Sequence, residues 1–422
     1  MRTPEFRKFV LDNGVTLVAE RHEWVRAVSA GVWIKAGSCS ESSSQGGISH
    51  FIEHMVFKGT EKRTPLEIAT LLEVVGGDLN AFTDKEWTCY HATVLHEHLG
   101  LSLDVLSDLV INPTFPRNQI EREKKVLLQE LSMVEEAPDE WVCDELLKGV
   151  WKGEPLGPPV IGTKKSIKEM TRGQLLKYYR EFYRPENTVI SVAGSFEFDE
   201  LREHCERLFV YKGSQKTMPL KAMPSRYKPK RKHILGNTEQ THLMIAFEGV
   251  GFRDPSRLAL LVLSYYLGGG MSSRLFQEVR EKSGLAYTID CDCLPFLDTG
   301  LFSVYVAVAT KSLPKCLEVV GKELNRLLKS GITERELAKV QSQLRGALLL
   351  ASDEMEGRQE SIGRNEIVFG RYFSVAEVVD EITSVTVDQI NEVARRVITP
   401  EKESIYTLGP TKPRKKKLSI FN

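Results

Sequence analysis

Residues Thr171–Gly194, TRGQLLKYYREFYRPENTVISVAG, return in outline 215 residues later as Thr386–Gly409, TVDQINEVARRVITPEKESIYTLG. Thr171, Gln174, Pro185, Glu186 and Gly194 match Thr386, Gln389, Pro400, Glu401 and Gly409 in a single register. Each copy reads as a helix (Gly173–Phe182 and Asp388–Val397), a turn broken by proline, and a β-rich strand ending in glycine. Matches that keep both register and element order point to a duplicated chain. Further out, Asn118–Val134 and Glu334–Leu350 read as a second corresponding pair of long helices.

The chain has 422 residues, enough for two domains of roughly 200 residues each. The boundaries expected are 1–210, a linker over 211–232, and 233–422. The linker has prolines at 219, 224 and 229, eight basic residues and no acidic one. That composition suits an extended, solvent-exposed tether, and the basic tail Pro413–Lys417 reads the same way. β-patterned runs (Thr16–Ala19, Ala27–Ile34, Thr88–Val94, Thr188–Val192, then His242–Phe247, Tyr287–Cys293, Leu301–Val308) alternate with amphipathic helices. The fold class expected is α+β: two duplicated domains, each a largely antiparallel sheet with helices packed on one side.

Lys plus Arg equals Asp plus Glu at 57 each, so no global charge points to nucleic acid. The longest apolar runs, as at Ala259–Leu263, fall far short of the roughly 20 residues of a membrane span. Residues 1–6 lack the apolar core of a signal peptide. The expected compartment is therefore cytoplasmic, or periplasmic or organellar if the chain is a processed form. Seven scattered cysteines argue against a disulfide framework, and Cys291 and Cys293 read as packing residues.

Gly46–Met55, GGISHFIEHM, carries the chemistry. Ser49 is expected to cap a helix whose apolar positions are 48, 51, 52 and 55. Four residues apart on one face, His50 and His54 can share a Zn²⁺. Glu53 would stand beside the same metal and take a proton from water whose pKa the zinc has lowered. This H-x-x-E-H order is the inverted zincin arrangement. A structural zinc is the other reading, although such sites usually close with cysteines. A catalytic zinc wants a third protein ligand, and Asn118–Val134 offers Glu123 and Glu130, two turns apart on a face with Ile120, Val126, Leu127, Met133 and Val134. Carboxylates in an apolar stripe are costly unless paired. In the second half Val340 and Ala347 fall opposite these glutamates, and no histidine follows His242.

With these residues the chain resembles the pitrilysin-type metallopeptidases, on the branch of the mitochondrial processing peptidase β subunits and their half-length bacterial counterparts. The resemblance implies one zinc per chain held by His50, His54 and Glu130, with Glu53 as catalytic base and Glu123 in support. Gly76–Thr83 resembles the family's substrate-binding edge strand, which places Asn80, Ala81, Phe82 and Thr83 against an extended peptide, with Glu86 near the metal. Read alone, Asn80–Thr83 is an ordinary hairpin strand. Gly268–Phe276 followed by Arg280 and Tyr287 resembles the family's Gly-rich turn and Arg/Tyr pair, suited to donate to a carbonyl and its oxyanion. Read alone, Arg280 is equally a surface residue on a helix over Ser272–Lys282. The resemblance further implies peptide substrates and a dimer of two such chains, a homodimer since this chain carries both sets, with a heterodimer open. The function expected is a zinc metalloendopeptidase for short, unfolded or presequence-like peptides. The alternatives are a non-catalytic core or partner subunit of a related complex, and a zinc hydrolase for a non-peptide amide.

Overall fold

In the computed structural model, which describes residues 3–211, 225–411 and 418–421, the first half runs β1 (Glu5–Val10), β2 (Thr16–Arg21), β3 (Ala27–Ile34), α1 (Ile48–Val56), α2 (Pro65–Glu73), β4 (Asp78–Thr83) and β5 (Thr88–Leu95). It continues with α3 (Leu99–Ile111), α4 (Arg117–Glu136), α5 (Pro138–Val150), α6 (Lys164–Glu169), α7 (Arg172–Phe182), β6 (Thr188–Gly194) and α8 (Phe198–Leu208). The second half runs β7 (Arg231–Leu235), β8 (Thr241–Gly249), α9 (Arg257–Gly268), β9 (Ala286–Pro295) and β10 (Gly300–Val308). Then come α10 (Leu313–Ser330), α11 (Glu334–Ala351), α12 (Met355–Phe369), α13 (Val375–Thr383), α14 (Val387–Val397) and β11 (Ser404–Gly409).

The first sheet has the order β1-β2-β6-β3-β5-β4 and the second β7-β11-β8-β10-β9. Without β1 the two orders coincide strand for strand. Each sheet holds one parallel pair, β2 with β6 and β7 with β11, and is otherwise antiparallel. The recurring residues have local reasons. Thr171 and Gln174 form a reciprocal capping box at the start of α7, and Thr386 and Gln389 form the same box at α14. Pro185 and Pro400 open matching 3₁₀ turns, Pro185–Asn187 and Pro400–Lys402. At Gly194, φ is +136° and a Cβ would meet Ala27 O at 2.4 Å, so only glycine lets the strands approach there.

Strand alternation sorts the two faces of the first sheet. Val28, Ala30, Val32 and Ile34 of β3 enter the core with Leu103, Leu106 and Leu109 of α3. The opposite face carries Gly31, where a Cβ would strike the Gln359 side chain, and Trp33, which would meet a Cβ at Gly363. Both partners lie on α12, from the second half of the chain. In the second sheet, Ile405 of β11 joins the core, while Tyr406 points its hydroxyl at Gly149 of α5, from the first half. The expectation of helices on one side is thus corrected: each sheet also carries a helix on its other face, supplied by the opposite half of the sequence. The described residues of one compact unit come from Met1–Leu131, Pro158–Lys221 and Leu350–Phe373; those of the other come from Ser132–Gly157, Ala222–Leu349 and Ser374–Asn422. The spans 1–210 and 233–422 separate the sheets, and the units exchange α5 and α12 across that boundary.

Part of the expected linker, 212–224, and the tail 413–417 lie outside the described residues. Where 211–232 is described, it departs from a solvated tether. Tyr227 is buried and its hydroxyl lies 2.7 Å from Ser404 Oγ. Arg231 and Lys232 open β7 and pair with Glu403 and Glu145. A basic stretch beside a parallel edge meets carboxylates that the local sequence does not reveal. Among the described residues no helix is long and apolar enough to cross a membrane.

Candidate metal centre

α1 begins one residue before Ser49, and the cap is Gly47, with φ +90°. Ser49 therefore sits inside the helix, its Oγ 2.8 Å from the Tyr178 hydroxyl. The free N–H groups of the first turn are met from outside. The Glu41 carboxylate accepts from Gly47 N at 2.8 Å and from Ser49 N at 2.9 Å. Burial pushes the Glu41 carboxyl up to about 7, against the lowering pull of those two bonds. Glu41 is a residue that sequence patterning misses, because it lies in a loop with no periodic signal. A helix N-terminus without side-chain caps of its own favours an anion there.

One turn apart on α1, the rings of His50 and His54 have centroids 4.7 Å apart. Glu130 on α4 faces both: Oε1 lies 3.7 Å from His50 Nε2 and Oε2 lies 3.6 Å from His54 Nε2. These distances are too long for hydrogen bonds and close to the spacing of ligand atoms around one metal, about 3.4 Å for bonds of 2.1 Å at a tetrahedral angle. Glu130 Oε2 and His50 Nδ1 are buried without a hydrogen-bond partner. A carboxylate that turns one oxygen to each imidazole, with Oε2 buried and unpartnered, has the donor chemistry of a zinc ligand, so the set fits zinc. Burial, then the neighbouring His54, push His50 down to about 4, which keeps its lone pair available at neutral pH.

Glu123, one heptad before Glu130, is buried and has its Oε2 3.2 Å from His54 Nδ1 and Oε1 3.0 Å from Lys58 Nζ. Burial raises its carboxyl, but the bonds from His54 and Lys58 bring it below the ordinary range. For His54, burial lowers the pKa and the Glu123 bond with nearby carboxylates outweighs it, for a net rise. The carboxylate fixes which imidazole nitrogen carries the proton and turns the other outward. The buried stripe of α4 is Ile120, Glu123, Leu127 and Leu131. Val126 and Met133, expected on that face, are 42% and 68% exposed. In the second half Val340 is buried on α11 among apolar residues, and α9, which follows β8 as α1 follows β3, has no histidine. Glu123→Gln is expected to weaken zinc binding about 10–100-fold, read by competition against a chromophoric chelator. Unchanged affinity would remove Glu123 from the orienting role.

Glu53 is buried, and its Oε2 accepts a hydrogen bond from Thr83 Oγ1 of β4. Burial raises its carboxyl above the ordinary value, opposed by the Thr83 bond. β4 is an edge strand, paired with β5 alone. Asn80 and Ala81 lie along it, and Phe82 packs edge-on against Trp33. Glu86 is in the turn between β4 and β5, where its charge acts on Cys39; the group placed so that it could hold a metal is His50, His54 and Glu130, without it.

Arg280 and Tyr287 come together in the other unit. Arg280 Nη1 donates to Tyr287 O at 2.8 Å, and its guanidinium stacks 4.7 Å from the rings of both Phe276 and Tyr287. The Tyr287 side chain is exposed on the edge strand β9. The helix expected over Ser272–Lys282 is shorter than that and ends in a π-type stretch, Phe276–Glu281. Gly268 brings α9 against β9, since a Cβ there would lie 2.2 Å from Cys291 N.

Comparison with known proteins agrees with this layout. The family model for insulinase (peptidase family M16) matches residues 16–164, and that for the peptidase M16 inactive domain matches residues 169–344. An uncharacterized zinc protease of Bacillus subtilis, YmxG, is 37% identical over 96% of this chain and 98% of its own length. An uncharacterized zinc protease of Mycobacterium tuberculosis is 36% identical, covering 96% of this chain and 93% of the relative. In fold, the chain resembles a protease from Helicobacter pylori (TM-score 0.88, 20% identity, 96% of this chain and 99% of that one). It also resembles a chain of complex III from Candida albicans (TM-score 0.82, 21% identity, 96% of each chain).

Proposed function

The chain belongs to the insulinase family, peptidase family M16, with zinc as its cofactor, and from that premise we propose that it is a zinc metalloendopeptidase acting on short, unfolded or presequence-like peptides. One observation supports this most: His50 and His54 face both oxygens of Glu130, while the buried Glu53 lies on the same helix, tied to an edge strand through Thr83. His50, His54 and Glu130 would hold the zinc, which when bound supplies Lewis acidity that polarises a carbonyl and lowers the pKa of water. β4 takes an extended peptide by main-chain pairing, which gives affinity with little sequence dependence. Glu53 takes the proton of the attacking water, and burial above the ordinary carboxylate range makes it a stronger base than an exposed glutamate. Its proton then passes to the leaving amine. Arg280 and Tyr287 are proposed as donors to the substrate carbonyl, and the exposed Tyr287 side chain supports that role. Because one chain carries both sets, a homodimer is the assembly we propose.

The second reading, a non-catalytic core or partner subunit, draws on the likeness in fold to the complex III chain. One assay separates them. The purified chain is expected to cleave unstructured fluorogenic peptides, to lose that activity to a chelator and regain it with Zn²⁺. Glu130→Gln should lower bound zinc and activity together. Intact zinc without peptide cleavage would favour the subunit reading; cleavage indifferent to the chelator would end the zinc mechanism.

A further inference from the structure

A second group of ligating side chains lies on the other face of the first sheet. His91 of β5 projects toward α12, whose Glu356 and Glu360 stand one turn apart on one side of that helix. One ligand atom from each of the three lies within 4.8 Å of the others. His91 Nδ1 and Glu356 Oε1 are 3.5 Å apart, nearly the ligand spacing seen around Glu130 in the first centre.

Two further observations point to a ion rather than to a chance meeting of surface acids. His91 is 4% exposed, and its ring makes no side-chain hydrogen bond among the described residues beyond that 3.5 Å approach to Glu356, which is long for a hydrogen bond and suits two ligands of one ion. Neither Glu356 nor Glu360 has a lysine or arginine within ion-pair distance among the described residues: Arg358, between them, is taken by Glu20. Arg364, one turn on, feels the charge of Glu360 without pairing to it. Both carboxylates reach the strand face. Burial first, then the charges of Glu360 and Glu356, raise the thiol of Cys89, two residues before His91.

We propose that His91, Glu356 and Glu360 form a second divalent-metal site, for a first-row transition ion of the zinc class, that pins α12 to β5. One imidazole with two carboxylates suits Zn²⁺, Co²⁺ or Mn²⁺; Ca²⁺ takes six to eight oxygens. The site joins segments more than 250 residues apart in sequence. His91 pairs directly with Asn80 of β4, so an ion held there stiffens the strand behind the free edge. The inference does not rest on the peptidase reading.

The test uses the full chain carrying His50→Ala and His54→Ala, which removes the first centre. Titration with Co²⁺, read by its visible d–d bands and by calorimetry, is expected to show one bound equivalent, and thermal unfolding should shift upward with metal concentration. Adding Glu356→Gln and Glu360→Gln, changes on partly exposed helix positions, should remove both signals. Wild-type chain should bind two equivalents and the Glu356→Gln/Glu360→Gln chain one. No Co²⁺ bound by the first-centre variant, the same binding after the glutamates are changed, or a site that takes Ca²⁺ in preference to Co²⁺ would each overturn the proposal.

Discussion

Glu53→Gln is expected to leave zinc bound and to lower kcat/KM on an unstructured peptide by about a hundred- to ten-thousand-fold, the usual contribution of a positioned general base. The geometry makes this substitution clean. Glu53 is not among the three side chains placed to hold a metal, and the oxygen that accepts from Thr83 can be replaced by an amide oxygen of the same reach. Gln removes only the capacity to take a proton. A drop in kcat with KM and zinc content held marks a transition-state role. Loss of zinc along with activity would instead make Glu53 a ligand. Activity within a few-fold of wild type would move the base elsewhere and sink the mechanism. Glu130→Gln provides the contrast, since there metal and activity are expected to fall together.

What the sequence disclosed and what it hid follow a physical division. The metal helix was legible because helical spacing is local: His50, Glu53 and His54 share a face by arithmetic. Glu123 and Glu130 were legible only as a pair, two turns apart on one helix face; that Glu130 rather than Glu123 would face both histidines came from the family resemblance, and Val126 and Met133, expected on the same face, are exposed. The duplication was legible because the Thr/Gln pair is a capping box in both copies, a motif whose geometry constrains residue identity. Glu41 was not legible, since a loop carboxylate reaching the first turn of α1 leaves no pattern. The exchange of α5 and α12 was also hidden. An amphipathic helix records that one face is buried, not which sheet covers it. Ser49 misled for a related reason: serine is a good cap, but Gly47 at positive φ begins the helix earlier and leaves the serine to Tyr178. The basic stretch that runs into β7 looked solvated because the partners of Arg231 and Lys232, Glu403 and Glu145, are remote in sequence.

The exchanged helix α12 is held by a buried ion pair, and Arg358→Ala is expected to cost about 3–5 kcal/mol of stability at neutral pH. Glu20 of β2 is fully buried, and Arg358 reaches both its oxygens, with Nε donating to Oε1 at 2.9 Å; His22 Nε2 lies 2.6 Å from the same Oε1. Burial alone would raise the Glu20 carboxyl, yet the bonds to His22 and Arg358 lower it from 4.5 to about 2. A carboxylate depressed on folding contributes stability above its unfolded value, and that stability is lost as pH falls through the folded value. The shift corresponds to about 3 kcal/mol, present above pH 4.5 and fading toward pH 2. Without Arg358, Glu20 is a buried charge that escapes its penalty by taking up a proton. The destabilisation should therefore be largest near pH 7 and shrink as the solution is acidified toward pH 4.5. Urea unfolding of wild type and variant at the two pH values measures it, and an equal loss at both would mean that Arg358 acts by packing alone. Glu20→Gln combined with Arg358→Met should recover much of the loss, because the cost lies in stranding one charge rather than in lacking the pair.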